Sequence, residues 1–138
     1  MRRLTLLLRF QPQATPPTGD PPTLDVTSGP GTVTLLDGDG DGVPTEASYV
    51  THVTMTGEET FEETGEITFD GGSLRVSTPV PGIMRAVEAG GVVLGSVTFD
   101  VQGTGRFDGA TGLVSSNFAL QMDGSGIVEA QVARILLP

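Results

Sequence analysis

The chain has 138 residues, 20 glycines, 10 prolines and no cysteine, and it carries a net charge of −10 at pH 7. This length suits one domain spanning residues 1–138, and a domain of that size can bury a core without disulfides or a structural metal. The acidic balance argues against a nucleic-acid partner, because phosphate binding needs a basic face, and the lack of cysteine excludes a disulfide framework and a thiolate nucleophile.

The first ten residues contain an apolar run that predicts either a strand or a signal peptide. Leu4, Leu6 and Leu8 alternate with Thr5, and Arg9 continues the polar face. This period of two is typical of a half-buried strand, whereas the run is short for a signal peptide and no clear cleavage site follows. We therefore expect a first strand. No stretch is long and apolar enough to predict a membrane helix, so we expect no membrane partner and a cytoplasmic location.

Residues 11–32 are rich in proline, glycine and threonine. Proline removes the backbone donors that a sheet needs, so this segment predicts an extended connection along the surface. Leu24–Val26 are the one part that suits a short edge strand. A further short strand is expected at Val33–Leu36.

The next segment alternates aspartate with glycine and ends in a glutamate. Its acidic residues Asp37, Asp39, Asp41 and Glu46 match the start of a calcium loop, where hard carboxylate oxygens surround a hard cation. The twelfth position of such a loop is Ser48 rather than glutamate. The alternative is a hairpin loop whose charges keep it solvated. Any bound calcium would be structural and would stiffen the loop.

The strand that begins at Glu46 places its only tyrosine on the more apolar face. The residues on that face are Ala47, Tyr49, Thr51, Val53 and Met55. A phenol inside an apolar barrel needs a hydrogen-bond partner. Tyr49 is therefore either a satisfied core residue or a donor that orients a ligand, and it is our candidate catalytic residue. His52, the only histidine, has the opposite parity and is expected to face solvent.

Five glutamates cluster around the hairpin that follows: Glu58, Glu59, Glu62, Glu63 and Glu66. Paired carboxyl groups can act as acid and base when burial separates their pKa values. A run this dense is usually solvated, because mutual repulsion opposes its packing. We therefore expect all five side chains on the surface.

The central part of the chain predicts two paired strands and one short helix. Residues 60–69 and 73–78 read as strands, and Asp70-Gly71-Gly72 between them is a tight hairpin signal. Residues 83–88 are the one segment that suits a helix, of one or two turns.

Three strong strands complete the chain, at residues 92–101, 113–121 and 127–137. Arg134 on the last of them is expected to face outward; if it faced inward it would need a carboxylate from Glu129 or Asp100. Seven or eight short strands with hairpin-length links predict a sandwich or a barrel. A closed barrel is favoured, since closure removes the exposed edges that an open sheet would have to protect.

A glycine-spaced run, Gly-Thr-Gly-Arg-Phe-Asp-Gly-Ala-Thr-Gly at residues 103–112, separates two of these strands. Glycines permit the sharp bends and close backbone approach that a barrel end requires. Phe107 is the one large apolar residue in the run and is expected to plug that end. A phosphate-binding loop is disfavoured, because no lysine follows and no helix opens behind the glycines.

This run, together with Leu113–Phe118 and the terminal segment Val132–Leu137, resembles the C-terminal part of the allene-oxide-cyclase-like barrels. That superfamily includes the dirigent proteins and the bacterial spirotetronate cyclases, and the resemblance covers roughly residues 92–137. It implies an eight-stranded antiparallel barrel with a central apolar cavity, so the fold that we expect is an eight-stranded antiparallel closed barrel with short glycine-rich turns. It also implies cyclisation or coupling of reactive apolar intermediates without a metal or organic cofactor, and a homodimer or homotrimer.

In the spirotetronate cyclases, aromatic and methionine side chains on the strand after the glycine run line the pocket. Carried over by position, the resemblance assigns these places to Ser116 and Phe118, with Val114 and Leu120 beside them. Ser116 is small and polar where the cyclases have a ring.

The leading hypothesis is a cofactor-independent cyclase or isomerase of the natural-product type, for example one that promotes a cycloaddition. It would hold a small apolar molecule as a near-attack conformer in the barrel cavity. Besides Tyr49, the expected wall residues are Met55, Phe99, Val101, Val114, Ser116, Phe118 and Leu120. The alternative is a non-catalytic barrel, either structural or ligand-binding and stiffened by calcium, because eight strands enclose little more than their own side chains.

Overall fold

A computed structural model describes residues 1–138 and contains ten β-strands and one short 3-10 turn, Glu88–Gly90. The strands are β1 Arg2–Phe10, β2 Gln13–Ala14, β3 Thr23–Gly38, β4 Glu46–Met55, β5 Thr60–Phe69, β6 Gly72–Ser77, β7 Gly82–Val87, β8 Val92–Gly105, β9 Thr111–Gln121 and β10 Ile127–Leu137. No helix is long and apolar enough to cross a membrane.

The strands close into an antiparallel barrel. Pairing runs from β1 through β10, β9, β8, β6, β5, β4 and β3, and a further pairing of β3 with β1 completes the ring. β7 pairs with β5 and β8, the same neighbours as β6, so β6 and β7 share one position in the ring. β2 pairs only with the first half of β3. The predicted eight-stranded closed barrel is therefore confirmed.

Alternation along β1 builds the core as predicted. Leu4, Leu6 and Leu8 are almost fully buried, whereas Arg9 on the other face is exposed. Since successive side chains of a strand point to opposite faces, the leucines fill the barrel interior. The closed end of the barrel is sealed by Phe107, whose ring packs against that of Phe69 at 4.8 Å between centroids. The predicted plug at this end is confirmed.

The glycine run brings backbone segments into close contact at that sealed end. A side chain on Gly103 would place its Cβ 1.7 Å from the carbonyl oxygen of Phe107. Gly105 has a φ of 60° and lies against the backbone of Gly71 in the hairpin between β5 and β6. That hairpin forms where Asp70-Gly71-Gly72 predicted it. Glycine is needed here for both conformation and space.

The prediction for residues 11–36 is wrong in its boundaries. The Pro-rich segment contains β2, and its second half joins Val33–Leu36 in one 16-residue strand, β3. Pro30 lies in a β-bulge between Ser28 and Gly31. The pairing of β3 with β4 is interrupted there, so the missing backbone N–H of proline costs no hydrogen bond between the strands. Beyond the bulge, β3 pairs with β1 and closes the barrel.

The predicted helix at residues 83–88 is also wrong. These residues form β7, which pairs with β8 from Ile83 to Val87. The interruption between β6 and β7 contains two prolines, Pro79 and Pro81. The local sequence suits a short helix, but two neighbouring strands offer ladder partners on both sides, and tertiary context outweighs weak helix propensity.

Candidate functional site

The open end of the barrel contains a cavity of about 90 Å³, opposite the end that Phe107 seals. It is formed where β1, β4 and β9 end and where β3, β5 and β10 begin. Its lining is mostly apolar and comprises Pro12, Ala14, Leu24, Val26, Tyr49, Val53, Phe61, Glu63, Met84, Phe118, Leu120, Ile127 and Glu129. Two carboxyl groups and one phenol are thus placed in a largely apolar enclosure.

Glu129 on β10 is the acceptor at the centre of a hydrogen-bond cluster. Its Oε1 accepts from the Tyr49 hydroxyl at 2.5 Å, and its Oε2 accepts from the Ser116 hydroxyl at 2.5 Å and from Nε2 of Gln131 at 3.1 Å. Ser116 and Gln131 are buried. Three donors directed at one carboxylate compensate for the water that the group loses inside the barrel.

Oε1 of Gln131 is a buried acceptor without a partner in the protein. Its amide nitrogen donates to Glu129, so the oxygen points away from that carboxylate. A buried acceptor left unpaired costs free energy, and a ligand or water that donates to it would relieve this cost. The cluster therefore retains an unused hydrogen-bonding position.

Glu63 on β5 is held in a different environment. It is 8% exposed, and its one side-chain partner is Thr51 on β4, which donates to Oε2 at 2.5 Å. Burial raises the pKa of Glu63 to about 7, against the lowering effect of the Thr51 hydrogen bond, and the nearby Glu129 raises it further. The carboxyl group is therefore poised to gain or lose a proton near neutral pH.

Tyr49 lies between these two carboxyl groups. Its ring packs edge-on against Phe10, with 4.8 Å between centroids. Burial raises the pKa of Tyr49 well above its ordinary value, and the charge and hydrogen bond of Glu129 add to this. The phenol consequently stays protonated at any physiological pH, and its hydroxyl donates a hydrogen bond to Glu129. The predicted inward orientation of Tyr49 is confirmed.

The predicted wall residues divide into two groups. Phe118 and Leu120 line the cavity beside Tyr49, and Ser116 is buried directly beneath it against Glu129. The others lie outside the cavity lining: Phe99, Val101 and Val114 are buried in the core, and Met55 packs against the core. The face of β9 to which the resemblance pointed therefore has two parts. Phe118 and Leu120 form cavity wall, whereas Val114 lies in the solid core further from the open end.

The structure does not gather the predicted calcium ligands. Asp37 lies in β3 and Glu46 begins β4, while Asp39 and Asp41 line a surface groove together with Arg2, whose guanidinium donates to the Asp39 carbonyl oxygen. No group of three or more histidine, aspartate or glutamate side chains is arranged to hold a metal ion. Calcium binding by this loop stays a prediction.

Two acidic residues of the site were misjudged or missed. Glu63 was expected on the surface with its neighbours, and that prediction is wrong for this residue. Its parity with Phe61 and Ile67 was the available signal, because both are buried on the same face of β5. Glu129 was considered only as a partner for Arg134. Arg134 in fact faces outward as predicted, with a hydroxyl of Thr5 at 3.4 Å.

His52 takes no part in the site. Its side chain is 55% exposed and forms a 2.8 Å pair with Asp25 on the outer surface. The predicted outward orientation is confirmed. Proton transfer inside the barrel thus has carboxyl groups and a phenol available to it, and no imidazole.

A wider cleft of about 740 Å³ lies among β1, β3, β9 and β10 and is lined largely by exposed residues. It shares only Phe118 and Glu129 with the cavity. Of the two carboxyl groups and the phenol, only Glu129 lines this cleft. The smaller cavity is therefore the better candidate site.

The hydrogen bond from Ser116 to Glu129 is expected to stabilise the fold. S116A should lower the free energy of unfolding by about 2 kcal/mol, because the half-buried Glu129 carboxylate loses one of its three donors. Urea unfolding measures this. S115A on the same strand is the matched control, since Ser115 is exposed, and its effect should stay within about 0.5 kcal/mol. Equal effects from the two variants would show that Ser116 does not support Glu129.

Comparison with known proteins identifies a solved structure that has the same architecture. A solved structure of a pterocarpan synthase dirigent protein superposes on 99% of this chain and 88% of its own, with a TM-score of 0.57 and 14% sequence identity. The two chains share a fold. No family model matches the sequence, and no curated protein matches it either. The dirigent proteins are one of the groups named by the resemblance, and the relation to allene oxide cyclases and spirotetronate cyclases stays a prediction.

Proposed function

We propose that this protein is a cofactor-independent isomerase or cyclase that binds a small neutral apolar molecule at the open end of its barrel. The observation that carries this proposal is the pair of carboxyl groups, Glu63 and Glu129, in one apolar cavity. One has a single hydroxyl partner and a pKa raised to about 7, whereas the other accepts three hydrogen bonds. Two carboxyl groups in contrasting environments are the usual arrangement of an acid and a base.

Glu63 acts as the acid and Glu129 as the base in a proton shift beside a carbonyl group. Protonated Glu63 gives its proton to the carbonyl oxygen, while Glu129 removes a proton from the adjacent carbon to leave an enol. The enol oxygen then returns its proton to Glu63, and Glu129 delivers its proton to a different carbon. Both groups end in their starting states, so no cofactor or other reactant is consumed.

Tyr49 positions the base. Its hydroxyl donates to one oxygen of Glu129, and Ser116 and Gln131 hold the other. These hydrogen bonds fix the orientation of the carboxylate, so its free lone pairs point in one direction before a substrate binds. Tyr49, the residue expected to be catalytic, thus acts through Glu129.

The charge of the cavity defines the substrate class. No arginine, lysine or histidine lines it, and two carboxyl groups do. An anionic ligand would meet uncompensated like charge in an enclosure of low dielectric. Its volume suits a small ring or a branched alkyl group. We therefore expect neutral molecules with one apolar ring or branch and one carbonyl or hydroxyl oxygen.

The test uses a binding assay and a reaction. Cyclohexenone, a neutral ring with one carbonyl oxygen, should bind, and a titration followed by ligand-observed NMR measures its Kd. The β,γ-unsaturated isomer of cyclohexenone should be converted to the conjugated isomer, followed by ultraviolet absorbance. Binding without conversion of this and related β,γ-enones would support the non-catalytic binding barrel instead. A protein that neither binds cyclohexenone nor converts the enones would contradict the proposed function.

A further inference from the structure

We propose that two glycines, Gly82 and Gly95, determine the width of the ligand site by giving the rings of Phe61 and Phe118 room against the barrel wall. This inference rests on the proposed function, because it concerns what the cavity admits. The glycines lie on β7 and β8 and do not line the cavity themselves. They act as positioning residues for the rings that do.

Each ring lies across a glycine on the neighbouring strand. Phe61 of β5 is the direct cross-strand partner of Gly82, and Phe118 of β9 is the direct partner of Gly95. A Cβ at Gly82 would be 2.5 Å from the Phe61 ring, and a Cβ at Gly95 would be 2.0 Å from the Phe118 ring. Both distances are far below van der Waals contact, so each ring occupies the volume where a side chain would stand.

The two pairs together form one side of the cavity. The rings of Phe61 and Phe118 contact each other with centroids 6.2 Å apart and planes at 60°. Both rings line the cavity. β7 and β8, which carry the two glycines, pair with each other in the ring of strands. The Phe61 ring therefore lies over β7 and the Phe118 ring over β8, and the lumen beside them stays open.

Space, rather than backbone conformation, is the reason for glycine at these positions. Neither Gly82 nor Gly95 has a positive φ, in contrast to Gly105 and Gly109 at the sealed end. Both are buried with their α-carbons toward the interior, as the alternation with exposed neighbours on each strand shows. An alanine is therefore compatible with the strand, and the nearest atoms that its Cβ would meet are those of the ring.

An alanine at residue 95 would displace the Phe118 ring from the wall. The strand lies behind the ring and the cavity in front, so the ring moves into the space that a ligand would fill. A cavity of about 90 Å³ cannot accept an aromatic edge and a small ring together. The identity of residue 95 thereby sets the upper size of the ligand.

The experiment compares cyclohexenone binding to the wild type, G95A and the double variant G95A/F118L by NMR titration. G95A should raise the Kd about tenfold or more, and the double variant, which removes the displaced ring, should restore it to within about threefold of the wild type. G29A is the matched control, because a Cβ at Gly29 has no atom within 4 Å. Circular dichroism and urea unfolding check that each variant is folded.

The outcomes separate this inference from the proposed function. Unchanged cyclohexenone binding by G95A, or no recovery in the double variant, would overturn the role of Gly95 while leaving the proposed function intact. If the wild type binds no cyclohexenone, xenon-pressurised crystals decide the matter, since xenon enters apolar cavities without needing a hydrogen-bond partner. Xenon in the wild type and not in G95A supports the inference. Xenon in both, or in neither, overturns it.

Discussion

Replacing Glu129 by glutamine is expected to lower the kcat for isomerisation of the β,γ-unsaturated cyclohexenone by about 100-fold or more, the usual contribution of a positioned acid or base. Glutamine keeps the shape of the side chain. Its oxygen can still accept from Ser116 and Gln131, and its amide nitrogen can donate to the Tyr49 hydroxyl oxygen, so the fold should persist. It removes the group that takes up the proton. Absorbance at the conjugated product's maximum measures the rate.

The partner variant E63Q should have a loss of similar order, for the complementary reason that the carbonyl oxygen no longer receives a proton. The rate of the wild type should also fall as pH rises above about 7, where Glu63 loses its proton. E62Q is the matched control, because Glu62 is the exposed neighbour on the same strand. Wild-type rates in both E63Q and E129Q would refute the acid–base roles.

Stability should depend on pH through Glu63, and the sign follows from its raised pKa. In the unfolded chain this carboxyl group loses its proton near its ordinary value of 4.5, whereas in the fold it keeps the proton up to about 7. The folded state therefore binds more protons in this interval. Its contribution to stability is complete below 4.5 and is lost as pH rises through 7. Each pKa unit corresponds to about 1.4 kcal/mol, so the full loss is about 3 kcal/mol.

Urea unfolding at about pH 5 and about pH 8 measures this loss. The stability of the whole chain also changes with pH for a second reason, because repulsion within a net charge of −10 at pH 7 weakens the fold. The informative quantity is thus the difference between the wild type and E63Q, which cannot titrate at this position. E62Q should retain the wild-type slope. A slope in E63Q equal to that of the wild type would show that Glu63 is not protonated in the fold.

Side-chain parity in the sequence predicted much of the barrel interior. Leu4, Leu6 and Leu8 face inward as their alternation indicated, and Tyr49 and His52 face opposite ways for the same reason. Parity is reliable in a closed barrel because one face of every strand is enclosed. The same rule applied to Glu63, but the density of negative charge around it favoured a solvated hairpin.

The acidic site could not be predicted from the sequence, because its residues are distant in the chain and come together only when the barrel closes. Glu129 and Tyr49 are 80 residues apart in the chain, and their hydrogen bond crosses the lumen from β10 to β4. The same hydrogen-bond network gives a physical reason for a serine at the position where the resemblance to the spirotetronate cyclases predicts a ring. A ring at residue 116 would leave Glu129 without the 2.5 Å donor that Ser116 provides.

The amino-acid sequence alone was enough to show that the chain is all-β, which residues alternate into its core, and where the glycine run turns at the sealed end. These properties depend on local geometry: a period of two, positive φ values and tight turns. The strand Gly82–Val87, and the cavity that Glu63, Glu129 and Tyr49 share, became evident only in the folded chain. The tertiary structure also placed Phe118 against Gly95. Each of these depends on register between strands that are distant in the chain, and register is set when the ring closes.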